Sequence, residues 1–163
     1  MEKDEIGMSI AEEVAKNSED QNTKVGSCIL SKYNVLLSTG YNGVPDNWKG
    51  EFPWERDIKR LGKKNTKYPY VIHSECNTLM SYEGDKKELE GATLYVTLFP
   101  CNECSKLIVQ SGIKRVVYKE DKYKDTEDNI LSKILLSSCG VEFIQYDELK
   151  KEDKEKVKTK ELI

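Results

Sequence analysis

From Ala92 to Tyr146 the chain alternates between two periodicities, and that alternation restricts the available folds more than any other feature. ATLYVTL, KRVVYK and VEFIQY are short runs of β-branched and aromatic residues. Between them lie PCNECSKLIVQSG and DTEDNILSKILLSSCG, each with apolar residues at helical spacing and a glycine, Gly112 or Gly140, at its end. In a strand–helix–strand–helix–strand order each helix must carry the chain back to the start of the next strand. The strands therefore run parallel, with right-handed crossovers. Upstream, VGSCILS and NVLLSTGY, turning at residues 32–34, read as a hairpin with both strands buried. The expected fold is α/β: a mixed five-stranded sheet with helices on both faces. Apolar Ile6, Ile10 and Val14 mark a helix over 4–17, and another begins near Ser74. Residues 44–70, punctuated by Pro45, Gly50, Pro53, Gly62 and Pro69, form an inserted loop with a short helix around 54–61. From Asp147 the chain is almost wholly charged, which predicts an exposed helix or a frayed tail.

The 163 residues make one domain, large enough to fold without help from disulfides or metal. Hydrophobic residues at 37% and charged residues at 34% describe a globular chain with a solvated exterior and exclude a disordered one. Lys and Arg number 26 against 29 Asp and Glu, and this net charge of -3 argues against a binder of long nucleic acid. A local basic patch for one small phosphate stays compatible with it. The acidic start MEKDEIGMSIAEEVAKNSED has no apolar core of signal-peptide length, and no later run approaches a membrane span. Five cysteines, an odd number, fit a reducing compartment and a cytoplasmic location, where clustered cysteines mean metal or catalysis.

That cluster is specific. His73-Ser74-Glu75 and Pro100-Cys101-Asn102-Glu103-Cys104 both sit where the chain passes into a helix, so their side chains can converge at helix N-termini. His73, Cys101 and Cys104 supply one imidazole and two thiolates, a soft tetrahedral set suited to Zn²⁺, and leave the fourth position to water. Glu75 can approach that water without ligating the metal, take its proton and hand it onward. This chemistry adds hydroxide to a C=N carbon and expels ammonia, and H-x-E…P-C-x-x-C is the signature of the zinc nucleobase deaminases. The alternative is a closed Cys₃His site with Cys76 as fourth ligand, in which case the chain would be a zinc-stapled interaction module without catalysis.

GYNGVP (40–45), TKYPYVIHSECN (66–77), LFPCNECSKLIVQSGIKRVVY (98–118) and DKYKD (121–125) resemble the deoxycytidylate (dCMP) deaminase family, above all its eukaryotic and phage-type branch. The match runs from about Ser18 to Tyr146. It implies a cytidine-deaminase-like three-layer α/β/α sandwich that hydrolyses dCMP to dUMP and ammonia as a step toward thymidylate. It further implies a homo-oligomer, commonly a hexamer, activated by dCTP with Mg²⁺ and inhibited by dTTP. By position, His73, Cys101 and Cys104 match the zinc ligands and Glu75 the proton shuttle. Asn42 matches an asparagine that reaches the nucleoside, although it could equally cap the turn beside Gly40 and Gly43. Asn77 either positions substrate or bonds to a neighbouring loop. Tyr123 matches a tyrosine that closes over the nucleotide, and Lys122 and Lys124 beside it either meet the phosphate or are plain surface.

The departures concern the phosphate. Many bacterial relatives carry arginine two or three residues before the V-G of the first strand; Asn22 and Thr23 stand there, and Lys24 is the nearest cation. HSEC replaces the commoner HAEL. A tRNA adenosine deaminase shares the zinc motif, but the net charge of -3, TKYPY and Asn77 speak against it. Seven cations fall within 44–70 against four acids, and Lys59, Arg60, Lys63 and Lys64 form a candidate effector site for a triphosphate with Mg²⁺. A solvated surface loop explains the same charges.

Overall fold

The computed structural model describes residues 2–161. Its elements are α1 (Glu2–Ala15), β1 (Gly26–Leu30), β2 (Leu36–Tyr41), α2 (Ile58–Leu61), α3 (Ser74–Ser81), β3 (Thr93–Leu98), α4 (Asn102–Ser111), β4 (Arg115–Glu120), α5 (Glu127–Ser138), β5 (Glu142–Gln145) and α6 (Tyr146–Glu161). The sheet is mixed and five-stranded in the order β2-β1-β3-β4-β5. β1 is antiparallel to both neighbours, and β3, β4 and β5 are parallel.

Register turns the period-2 pattern into two cores. Ile29 pairs with Leu94 and Leu94 with Val116, so this row shares one face of the sheet. There it packs with Ile108 of α4 and Leu136 of α5. One residue along, Cys28, Tyr95 and Val117 form the opposite row, which packs with Met8 and Ala11 of α1 and Tyr146 of α6. Covered on both faces, β1 is buried along its whole length. β2 differs from expectation: it is the edge strand, with Leu36 47% and Tyr41 40% exposed. Its turn places Asn34 at a left-handed φ of 66°, which the short polar side chain tolerates.

α1 is tied across the sheet by Asp4, whose carboxylate accepts from Arg115 Nη1 at 2.8 Å and Nη2 at 3.2 Å, and from the Tyr95 hydroxyl at 2.7 Å. Burial works to raise the Asp4 carboxyl, but the Arg115 and Tyr95 hydrogen bonds outweigh it and hold the group below the usual carboxylate range. α4 and α5 both give way to glycine in the left-handed region, with Gly112 at φ 94° and Gly140 at φ 72°.

The long loop has its own small core. Trp48 meets Phe52 edge-on (5.2 Å between centroids) and Tyr70 at a tilt (5.1 Å), and Phe52 lies tilted against Trp54 (4.6 Å). Of the helix expected over 54–61 only Ile58–Leu61 forms, because Trp54 is held in the aromatic cluster and Asp57 caps the turn by accepting from the Arg60 N–H. Paired N–H…O bonds between Gly43 and Ile72, of 3.0 and 2.9 Å, close the loop at its base. The charged tail is helical, anchored by Tyr146 and Leu149 in the core formed by Met8, Ala11, Tyr95 and Val117, and exposed over most of the remainder. Among the described residues, no helix is long and apolar enough to cross a membrane.

Candidate active site and metal centre

His73 and Cys101 are the N-cap residues of α3 and α4, and Cys104 lies in the first turn of α4. Close packing of α3 on β2 sets the first helix: a Cβ on Gly40 would stand 2.5 Å from the Thr78 backbone nitrogen, so only glycine permits this approach. His73 Nδ1 lies 3.4 Å from both Cys101 Sγ and Cys104 Sγ. A tetrahedral zinc with bonds of about 2.3 Å to sulfur and about 2.0 Å to nitrogen separates those atoms by roughly 3.5 Å. The donor set and its spacing therefore fit Zn²⁺. Cys101 is pulled down to about 4, first by its hydrogen bond with Cys104 and then by His73, with burial opposing, while Cys104 is pushed up, first by Cys101 and then by burial. The three ligand atoms all lie within 4.8 Å of one another, a spacing that a single cation can bridge.

Glu75, two residues beyond His73, is 4% exposed and lines a cavity of about 370 Å³ together with His73 and Cys101. The Ser74 hydroxyl donates to Glu75 Oε1 at 2.6 Å. Burial pushes the Glu75 carboxyl up, against the Ser74 hydrogen bond and the charge of His73. A buried carboxyl raised in this way is suited to taking up and giving back a proton within the cavity. Cys76 lies outside the ligand cluster and faces a separate groove between α3 and α4, beside Met80 and Leu107. Replacing Cys76 with alanine should leave one zinc per chain by metal analysis; loss of stoichiometric metal would restore the closed Cys₃His site.

The remaining residues singled out in the sequence divide. Asn42 lines the cavity, but its amide is engaged: Oδ1 accepts from the Val25 N–H at 2.8 Å and Nδ2 donates to the Thr23 carbonyl at 2.9 Å. One N–H of that amide is left for a ligand. Asn77 is outside the lining and donates to the Tyr41 carbonyl at 2.8 Å, the loop-bonding option. Tyr123 lines the cavity at 50% exposure. Lys24 and Lys122 are exposed and outside the lining, and Lys122 lies over the Tyr123 ring at 5.0 Å. Lys59, Arg60, Lys63 and Lys64 are all exposed, also outside the lining, and Arg60 pairs with Asp57 at 3.5 Å.

Sequence reading missed the cavity's charged wall. Asp20 and Lys67 form an ion pair with both side chains buried, at 1% and 8% exposure, and both line the cavity with Arg56. Asp20 also accepts from the Asn22 and Thr23 N–H groups at 2.9 and 3.2 Å. Asp20 and Asn42 thus hold the backbone of residues 22–25, and Lys67 fastens the long loop to Asp20. Only the position of Lys67 beside Tyr68-Pro69-Tyr70 hinted at a role beyond surface charge.

A three-layer sandwich with an imidazole, two thiols and a buried carboxyl gathered at adjacent helix N-termini has the architecture of the zinc-dependent nucleobase deaminases. Within that class the chain belongs to the cytidine and deoxycytidylate deaminases, whose zinc-binding region matches residues 1–120. It is 41% identical over 143 residues to the deoxycytidylate deaminase of Pongo abelii, covering 87% of this chain and 78% of the relative. The Homo sapiens deoxycytidylate deaminase is 40% identical with the same coverage. The crystal structure of the dCMP deaminase from cyanophage S-TIM5, in complex with dCMP and dUMP, superposes with a TM-score of 0.70 at 28% identity, over 88% of this chain and 96% of that one.

Proposed function

We propose that the chain hydrolyses dCMP to dUMP and ammonia, a step that supplies thymidylate precursors. The observation that carries this reading is the buried Glu75 carboxyl sharing one cavity with His73 and Cys101. Support comes from relatives named as deoxycytidylate deaminases and from the nucleotides in the phage structure. In this reading His73 Nδ1, Cys101 Sγ and Cys104 Sγ hold Zn²⁺. Zinc so held lowers the pKa of water to about 7 and supplies a nucleophile at neutral pH. Ser74 occupies Glu75 Oε1, so Oε2 takes the proton of the attacking water and passes it to ring N3 as the oxygen adds to C4. The same carboxyl then takes the proton of the new C4 hydroxyl and delivers it to the C4 amine; the C4–N bond breaks, the C4 carbonyl forms and ammonia departs. Asn42 and Tyr123 line the path to this centre.

Cytoplasmic residence agrees with five free cysteines. Homo-oligomerisation, to a hexamer by family resemblance, has apolar side chains available on α3 and α4, with Met80 78% and Leu107 45% exposed. dCTP with Mg²⁺ as activator and dTTP as inhibitor would use the exposed cations Lys59, Arg60, Lys63 and Lys64. A substrate panel of deoxycytidine, dCMP, dCTP and an adenosine-bearing tRNA stem-loop, scored by ammonia release with and without dCTP or dTTP, tests the whole reading. We expect dCMP to be the preferred substrate; preference for the stem-loop would replace this function with tRNA deamination.

A further inference from the structure

We infer that Arg56 reads the 5′-phosphate of the substrate, an inference that rests on the nucleotide reading above. The long loop brings two cations to the cavity, Arg56 and Lys67. Lys67 is committed: its side chain is 8% exposed and paired with an Asp20 that is 1% exposed. A phosphate that recruited Lys67 would leave a buried carboxylate uncompensated. Arg56 is exposed and has no ion-pair partner among the described residues, since the adjacent Asp57 pairs with Arg60 instead.

The cavity also has a direction. The reacting amine must sit between the buried Glu75 carboxyl and the ligand cluster. With that end of the nucleotide at the ligand cluster, to which the exposed His73 belongs, the exposed lining residues left to meet the 5′ end are Arg56, Tyr68 and Tyr123 with the start of α5. At that helix start Thr126, Asp128 and Asn129 line the cavity, and Asp128, whose Oδ2 accepts from the Asn102 N–H at 3.1 Å, sets a negative charge against an anion on that side. The backbone at Arg56 is held in place. The preceding carbonyl, of Glu55, accepts from the Lys67 N–H at 3.0 Å, and the Arg56 carbonyl accepts from the Ile58 N–H at 3.0 Å. A guanidinium so placed can grip a phosphate through two parallel N–H…O bonds. It takes over the role for which the sequence offered Lys24 and Lys122, both of which lie outside the lining.

The test compares a nucleotide with its phosphate-free counterpart. In Arg56→Gln the ratio of kcat/KM for dCMP to that for deoxycytidine should fall about 10–100-fold, the loss expected for one charged hydrogen-bonding partner. Arg56→Lys should recover part of it. An unchanged ratio in Arg56→Gln, whatever happens to the absolute rates, overturns the assignment. Calorimetric binding of dUMP and deoxyuridine to native chain and variant separates this inference from the function on which it rests. A native chain that binds dUMP more tightly than deoxyuridine through Arg56, yet releases no ammonia from dCMP, keeps the phosphate site and refutes deamination. One that distinguishes neither pair refutes both.

Discussion

Replacing Glu75 with glutamine should lower kcat for ammonia release by about 10²–10⁴-fold, the range for loss of a positioned general acid–base group. Zinc content and Tm should stay at native values. Glutamine keeps the length of the side chain and an oxygen to accept the Ser74 hydroxyl, which donates to Glu75 Oε1 at 2.6 Å, so the first turn of α3 retains its contacts. It removes the one property the mechanism needs, an oxygen that can gain and lose a proton. Because the native carboxyl is 4% exposed and burial drives it toward its neutral form, an amide there costs the fold little. Metal stays because the ligand set, His73, Cys101 and Cys104, is untouched. Turnover within threefold of native in a zinc-loaded variant would overturn Glu75 as proton carrier. Loss of zinc alongside activity would make Glu75 part of the metal site instead.

The features legible in the sequence are those that local periodicity or short spacing encodes. Strands such as TLYVTL are buried on both faces, and their place between helical segments defines a parallel sheet with cover above and below. His73 and Glu75 are two residues apart and Cys101 and Cys104 three, so each pair shares one helix start, and only the meeting of the two helices needed the fold. Charge partners distant in sequence are a different matter. Asp20 and Lys67 are 47 residues apart, and nothing in SEDQNTK or NTKYPY says that these two charges, among 55 in the chain, lose their water. Asn42 stayed ambiguous for a related reason: an asparagine beside glycines reads equally as a turn residue or a ligand contact. Its bonds to the backbone of Thr23 and Val25 come from a neighbouring segment that the fold brings alongside. In the long loop, helix propensity over 54–61 yields to aromatic packing at Trp48, Phe52, Trp54 and Tyr70, a tertiary effect outside any local window.

The second large effect should appear in Lys67→Met, which is expected to lose about 3–5 kcal/mol of stability at neutral pH, the usual cost of stripping one partner from a buried ion pair. Methionine fills much of the lysine's volume, so lost packing contributes little, and the deficit is the charge left on Asp20. The pH dependence identifies it. In the native chain burial works to raise the Asp20 carboxyl, but Lys67 and the Asn22 and Thr23 N–H groups hold it below 3.8, its ordinary value. That depressed group contributes stability present above about pH 4 and lost as pH falls through the folded value. Without Lys67 the carboxyl loses the largest influence that opposes burial and rises, so the variant is penalised most where the carboxyl must ionise and least where it stays protonated. The gap between native and variant, measured by urea unfolding, should therefore be largest near pH 7 and shrink steadily as the solution is acidified toward pH 4. Asp20→Asn added to Lys67→Met should recover stability at pH 7, because the amide can still accept from the Asn22 and Thr23 N–H groups without a charge to compensate. A gap that stays constant with pH, or a double variant no more stable than Lys67→Met, would place the contribution of Lys67 in its packing and leave the ion pair without weight in holding the long loop against the cavity wall.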